Sequence, residues 1–305
     1  GVQTCALPIW ISEHSSVEAN FSTLLDMCLT LDSRQLHQQI KPIYCKTYGL
    51  DFIFNDQKQN LLHVLAGMPR FRNWQVLLKG FLYLDLTDSF QQTALFIAVK
   101  EKNFYAIESL VNNEASPLIE DEHGINAIQY ACQTNYNEAF NYMLKSYSSI
   151  RFLALNVIRI GKLCIENNSI ETFKVFIRHI PERKFNSVDE DGFALIHHIV
   201  LANKLNFLKA FLRLNNDLLN PKVDINLKAK IDGKEKTPLE MATSKEIAEY
   251  LYANGGTFNK KAITPIISDV ISRSSQWQVT GYSFSPTDLH KAATEEIGRA
   301  SCRER

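Results

Sequence analysis

From Thr93 the chain reads TALFIAVKEKNFYAIESLVNNEAS, and its apolar positions fall on two short helical stripes. Leu95, Ala98 and Val99 share one face at i, i+3, i+4 spacing, which predicts a helix over about 94–101. Ile107, Leu110 and Val111 do the same for about 104–112. Thr93 is placed to cap the first helix, and Asp88 and Gln91 to close the turn before it. The same spacing returns along the chain. Taking the third residue after Thr93 as an anchor, the anchors are His63, Phe96, Gln129 and Lys162 at steps of 33. His197 follows after 35 and Glu240 after 43, the extra length lying in the loop 220–236.

Side chains around the anchor recur as well. An Asp stands eight residues before it at Asp88, Asp121, Asp189 and Asp232, with Asn55 in the first unit. Gly124 and Gly192 stand five before it, where a turn needs a left-handed residue. Small residues follow two after it (Ala98, Ala131, Cys164, Ala242) and let neighbouring helices approach. Asn103, Asn135, Asn168 and Asn203 lie near the link between the helices, where Asn tolerates the left-handed conformation. Neither helix can bury its stripe alone, so the units must stack.

A period of about 33 with a T-P-L-H-like opening resembles the ankyrin repeat. The resemblance covers residues 51–259 and counts six to seven divergent repeats. TPLEMATSKEIAEYLYANGGTFN matches the family pattern best at both ends, and the repeat around Lys162 keeps the helix pattern without the opening motif. The resemblance implies an all-α ankyrin-repeat solenoid of stacked helix–turn–helix units joined by short turn loops.

The flanks read differently. Residues 1–9, GVQTCALPI, and 296–305, ending IGRASCRER, resemble translated sequencing adapters and are set apart from the fold. Without them 286 residues remain, with Cys28, Cys45, Cys132 and Cys164 and a net charge of −1, because three Arg and two Glu leave with the tails. Residues 10–50 are expected to be a helical cap or divergent repeat, with helices over 17–31 and 33–40, the second stopped by Pro42. Residues 260–284 are expected to be a linker, with SRSSQ at 272–276 as its flexible part. Residues 285–295 read as the opening of a further repeat at His290.

Composition excludes more than it identifies. Lys+Arg and Asp+Glu both number 33, which argues against phosphate-driven nucleic-acid binding and a polybasic membrane anchor. No apolar run approaches the ~20 residues that span a bilayer. The adjacent His197 and His198 lack further metal ligands at zinc spacing, so His197 is expected to hydrogen-bond between turns with His198 facing outward. The acidic run at 119–124 reads as a surface turn. Cys132 and Cys164 fall on packing positions. A catalytic thiol at Cys28 or Cys45, or at Cys45 with His37, has no partner that the spacing supports. The sequence holds neither a Gly-rich phosphate loop nor a G-x-S-x-G elbow. The aromatic set Phe71, Trp74, Phe81 and Tyr83 is expected to pack the first repeat on the second.

The resemblance implies a protein partner bound through turn tips and the concave helix face. It implies no enzymatic activity, cofactor or metal, and neither nucleic acid nor membrane. Candidate contacts are Phe90, Gln91, His123, Ile125 and Phe193 on turn tips and Lys100, Glu101, Gln133 and Thr134 on first helices. Phe90, Ile125 and Phe193 are apolar where turns are usually polar. The alternative reading is the targeting or substrate-recognition arm of a larger enzyme or of a host-directed bacterial effector. Either reading implies a cytoplasmic protein, in the bacterial or the host cytosol.

Overall fold

A computed structural model describes residues 21–46, 50–51, 54–146, 157–181, 184–213, 223–231, 233–259 and 264–279. The adapter-like ends, the opening at His290, and Asp232 lie outside the described residues, as does the side chain of Cys45.

The anchors locate helix starts. Helices α3 (Leu61–Ala66), α5 (Ala94–Lys100) and α7 (Ala127–Gln133) each begin two residues before their anchor. So do α11 (Leu195–Leu201) and α13 (Pro238–Met241). The anchor therefore sits at the third helical position. The residue before the helix caps it. Asn60, Thr93 and Thr237 each accept a backbone N–H through the side-chain oxygen, satisfying donors that the first turn leaves unpaired. At 157–166 this register changes. That helix, α9 (Val157–Glu166), starts five before Lys162.

Second helices follow: α4 (Trp74–Leu77), α6 (Phe104–Asn112), α8 (Asn137–Ser146), α10 (Ile170–His179), α12 (Leu205–Leu212) and α14 (Lys245–Ala253). Their links need a left-handed residue. Asn135, Asn168 and Asn203 supply it at φ 52 to 55°. In the second repeat Lys102 takes that conformation at φ 54°, and Asn103 does not. Asn103 caps α6 instead, accepting from the Ala106 N–H, while its amide donates to Ala66 O at 3.0 Å and Met68 O at 3.2 Å. It is one position further along than the other three Asn, and the buried carbonyls there require a donor.

The chain forms two compact units, 1–127 and 128–305. In the first, α1 (Phe21–Thr30) packs on α2 (Ser33–Lys46) and α3, α3 packs on α5, and α4 packs on α2 and α6. Helix α2 continues through Pro42, which was expected to stop it. Leu36 and Ile40 are fully buried, and that packing outweighs the one backbone hydrogen bond that Pro cannot make. In the second unit α9 packs on α11 and α11 on α13, while α8 packs on α10, α10 on α12 and α12 on α14. First helices thus meet first helices, and second helices meet second. Stacked phenylalanines fill the second layer: Phe173 lies 4.9 Å from Phe207, and Phe140 6.3 Å from Phe176, between ring centres.

Two features depart from the sequence reading. The extra length before Glu240 forms an antiparallel hairpin, β1 (Ala229–Ile231) with β2 (Lys234–Lys236). Residues 272–276 are helical, inside α15 (Pro265–Val279), rather than a linker. Ile267 and Val270 are buried as α15 packs on α14, and Lys245 bonds Asp269 between the two helices. A polar, Ser-rich stretch can be helical when the turn before it is anchored by packing.

Candidate functional site

The turn before each first helix is built the same way four times. In the turn at Asp88, its N–H donates to Gln92 O at 3.0 Å and its carbonyl accepts from Gln91 N–H at 3.1 Å. The carboxylate then accepts from the N–H groups of Phe90 and Gln92, both at 2.9 Å. Asn55, Asp121 and Asp189 repeat these bonds with their own turns. The backbone is left-handed at Lys58, Gln91, Gly124 and Gly192, with φ of 57, 57, 70 and 80°. This is the three-residue hairpin loop that needs a left-handed residue. Two of its four positions carry the Gly read from the sequence, and two carry side chains in a strained conformation. In the last repeat Asp224 makes the equivalent bond, accepting from Asn226 N–H at 2.9 Å. It stands before the hairpin, whereas the spacing had pointed to Asp232.

In the first unit the tips of these turns are joined. Ser89 N–H donates to Gln57 O, and Glu122 N–H donates to Phe90 O, both at 3.2 Å. Two histidines each hold the turn of the next repeat. His63 Nε2 lies 3.0 Å from Leu86 O and 3.1 Å from Gln92 O in the next turn, two acceptors that call for a proton on Nε2, while Nδ1 lies 3.2 Å from Asn60 N and 2.7 Å from Asn60 Oδ1. His197 does the same, accepting from Ala194 N–H at 2.9 Å and donating to Leu227 O at 2.7 Å. Burial holds both imidazoles below their ordinary pKa. Asp88 opposes that for His63. For His197 the bond to Leu227, Asp189 and Asp224 oppose it, and His198 adds to it.

His198 was expected to face outward. It instead bonds Asp189 Oδ2 at 2.7 Å, with its side chain only 15% exposed. The carboxyl of Asp189 is held below the usual carboxylate range: its hydrogen bonds and the adjacent imidazole outweigh partial burial, the largest influence, which acts the other way.

The candidate contacts separate by exposure. Phe90 is 48% exposed, and Gln91, Lys100, Glu101, His123 and Thr134 are exposed. Ile125 and Gln133 are half-buried. Phe193 is also half-buried: its ring lies 6.0 Å from that of His197 and 5.8 Å from that of His198. Phe71, Trp74 and Phe81 are core residues, the first two edge to face at 5.2 Å, whereas Tyr83 is 55% exposed beside Leu82 at 72%. The backbone under that exposed pair is clamped by Asp51. This fully buried carboxylate accepts from Leu82 N–H at 3.0 Å and Tyr83 N–H at 2.8 Å. The sequence reading passed over it, because Asp51 lies outside the repeated anchor pattern.

The cysteines are buried at Cys28, Cys132 and Cys164. Burial pushes the Cys28 thiol up to about 12 and also raises Cys132, which faces Cys164. That is the reverse of what a nucleophile needs. Among the described residues no three His, Cys, Asp or Glu side chains come together as a metal set.

A family model described as ankyrin repeats in three copies matches residues 55–152. Over that stretch the chain carries ankyrin repeats. Its fold class is the all-α ankyrin-repeat solenoid, with the hairpin before Glu240 as an addition to it. The ankyrin-repeat domain of Bcl-3, a member of the IkappaB family, superposes with a TM-score of 0.57 at 18% identity, covering 75% of this chain and 97% of that one. The human ASB11 ankyrin-repeat domain gives a TM-score of 0.47 at 13% identity, covering 70% of this chain and 98% of that one. An ankyrin-repeat domain from Acinetobacter baumannii gives 0.49 at 22%, covering 64% and 98%. No curated protein matches the sequence. Ankyrin repeats are in general protein-interaction modules without catalytic activity of their own. No helix among the described residues of this ankyrin chain is long and apolar enough to cross a membrane.

Proposed function

We propose that the chain is a non-enzymatic scaffold that captures a partner protein on the row of turn tips and the adjoining first-helix surface of each unit. The observation that carries this is the joined row in the first unit. Backbone bonds link the tips at Gln57, Ser89–Phe90 and Glu122, so the exposed Phe90 ring and the neighbouring Gln91 and His123 stand on a rigid line. A surface held by its own backbone loses little conformational freedom on binding. In the same unit Lys100 and Glu101 extend the contact set and Ile125 contributes an edge; in the second unit Thr134 and Gln133 belong to its own first-helix surface. Phe193 belongs to the packing of its own turn and is assigned a supporting role.

Capture of a partner from lysate by the full chain, identified by mass spectrometry and repeated with purified partner, tests this. The Phe90→Asp/His123→Ala variant is expected to lose at least tenfold in affinity while its melt is unchanged, since truncating an exposed aromatic anchor costs binding and not folding. Undiminished capture by that folded variant overturns the assignment.

A further inference from the structure

A cleft among the described residues lies away from the turn tips. It has a volume of about 520 Å³ and opens between the end of α1 and the link from α3 to α4. Cys28, Leu29 and Leu31 line one side, and Gly67 to Asn73 the other. Leu29 is 51% exposed and Met68 half-buried, so an open apolar patch lies beside the polar part of the lining.

Its charge is one-sided. Arg70 and Arg72 are the charged residues of the lining, which holds no Asp or Glu. Arg72 is fixed in place: its guanidinium donates to the carbonyls of Pro69 and Phe71 and stacks on the Tyr105 ring at 3.8 Å. Those bonds use one terminal nitrogen, Nη1. Arg70 is exposed, and no ion pair holds either guanidinium among the described residues. Asn73 ties the link to the α1–α2 connection, donating to Leu31 O at 3.3 Å and accepting from Ser33 Oγ at 2.5 Å. The walls are therefore held before any ligand arrives.

A cleft that sets an apolar patch beside two guanidinium groups and holds no acid fits an anion attached to an apolar body. We infer that this cleft is a second docking site, for a short peptide segment that carries a carboxylate side chain next to one or two large apolar residues. Charge complementarity decides the occupant. Guanidinium groups bind carboxylate in a fork geometry, and Leu29 and Met68 take up the apolar neighbour. The inference rests on the chain being a protein-binding scaffold and adds a site that the turn tips do not provide.

The test uses the full chain and a fluorescein-labelled model peptide, Leu-Asp-Phe-Glu-Leu, with Leu-Asn-Phe-Gln-Leu as control, read by fluorescence polarisation. The acidic peptide is expected to bind at least about tenfold tighter than the amide control, and Arg70→Ala and Arg72→Ala are each expected to lose about tenfold. Leu29→Asp is expected to abolish binding. Arg70 is exposed, so the circular-dichroism melt of Arg70→Ala should match wild type, whereas Arg72→Ala also loses its carbonyl bonds and its contact with Tyr105 and is read beside its own melt. Equal binding of acidic and amide peptides, or unchanged binding by both arginine variants, overturns the site. Octanoate displacing the peptide at similar occupancy identifies a free amphipathic carboxylate as the occupant and overturns the peptide assignment. Partner capture through Phe90 is measured on the same arginine variants. Capture by the wild-type chain with no peptide binding removes this site alone, and capture lost only on Phe90→Asp/His123→Ala leaves the scaffold reading standing.

Discussion

Nε2 of His63 lies 3.0 Å from the carbonyl oxygen of Leu86, so a ring on one repeat holds the turn of the next. The bond requires Nε2–H, and Nδ1 faces Asn60, 3.2 Å from its N and 2.7 Å from its Oδ1. A second proton on Nδ1 would charge a buried ring.

Stability should therefore fall with acidification. Both His63 and His197 are held below the ordinary imidazole value, mainly by burial. The unfolded chain binds the proton first, at about 6.5. As pH drops from that value toward the lowered folded pKa, the unfolded state takes up more protons and stability declines. Asp189, whose folded pKa is lowered, adds its loss only in the more acidic range below the ordinary carboxylate value. Thermal melts between pH 7.5 and 5 should show a falling Tm. The His63→Gln/His197→Gln variant should melt lower but with a flatter slope over that window. An equal slope in both proteins would contradict the assignment.

Asp51 carries a comparable burden in one carboxylate. Asp51→Ala leaves the Leu82 and Tyr83 N–H groups without their acceptor, which should cost about 2–3 kcal/mol in denaturant unfolding. Hydrogen exchange at those two amides should rise more than elsewhere in the first unit.

Gln91 occupies a backbone conformation better suited to Gly. Left-handed residues with a Cβ are strained by about 1–2 kcal/mol, and Gly returns part of that as unfolded-state entropy. Gln91→Gly should thus stabilise the chain by roughly 0.5–1 kcal/mol. Gly124→Ala should destabilise it by a similar amount, and a chemical melt distinguishes the two signs.

Gly161 is a contact point between first helices. A Cβ there would meet Leu195 Cδ1 at 2.4 Å. Gly161→Val should cost about 1–3 kcal/mol by overpacking. The double variant with Leu195→Ala should recover part of that loss, and a double-mutant cycle reads the coupling directly. Strict additivity would show that the helices separate instead.

Much of this was legible along the chain. A helix start, a cap and a turn each depend on a few neighbouring residues, so the Thr93 cap, the Asp88 turn and the left-handed Gly124 could be read from spacing alone. The role of His197 was legible for the same reason, since its position in the repeat determines which turn lies above it.

Other features depend on what the next repeat presents. Asp51 follows no period, and only stacking brings Leu82 and Tyr83 to its carboxylate. Asn103 donates to Ala66 and Met68, so burial of those carbonyls decides its role, not its helix propensity. His198 turned inward because Asp189 of its own turn lies within reach, and Phe193 packs over the same imidazoles. The segment 265–279 is polar enough to read as a linker, and burial of Ile267 and Val270 against α14 makes it a helix. The cleft beside Arg70 and Arg72 comes from folding, because α1 and the α3–α4 link are some 40 residues apart in sequence. Local conformation, set by nearest neighbours, was determined by the sequence itself. Which surfaces are buried, paired or left open was decided by stacking, because burial is a property of the assembled neighbours and not of any one segment.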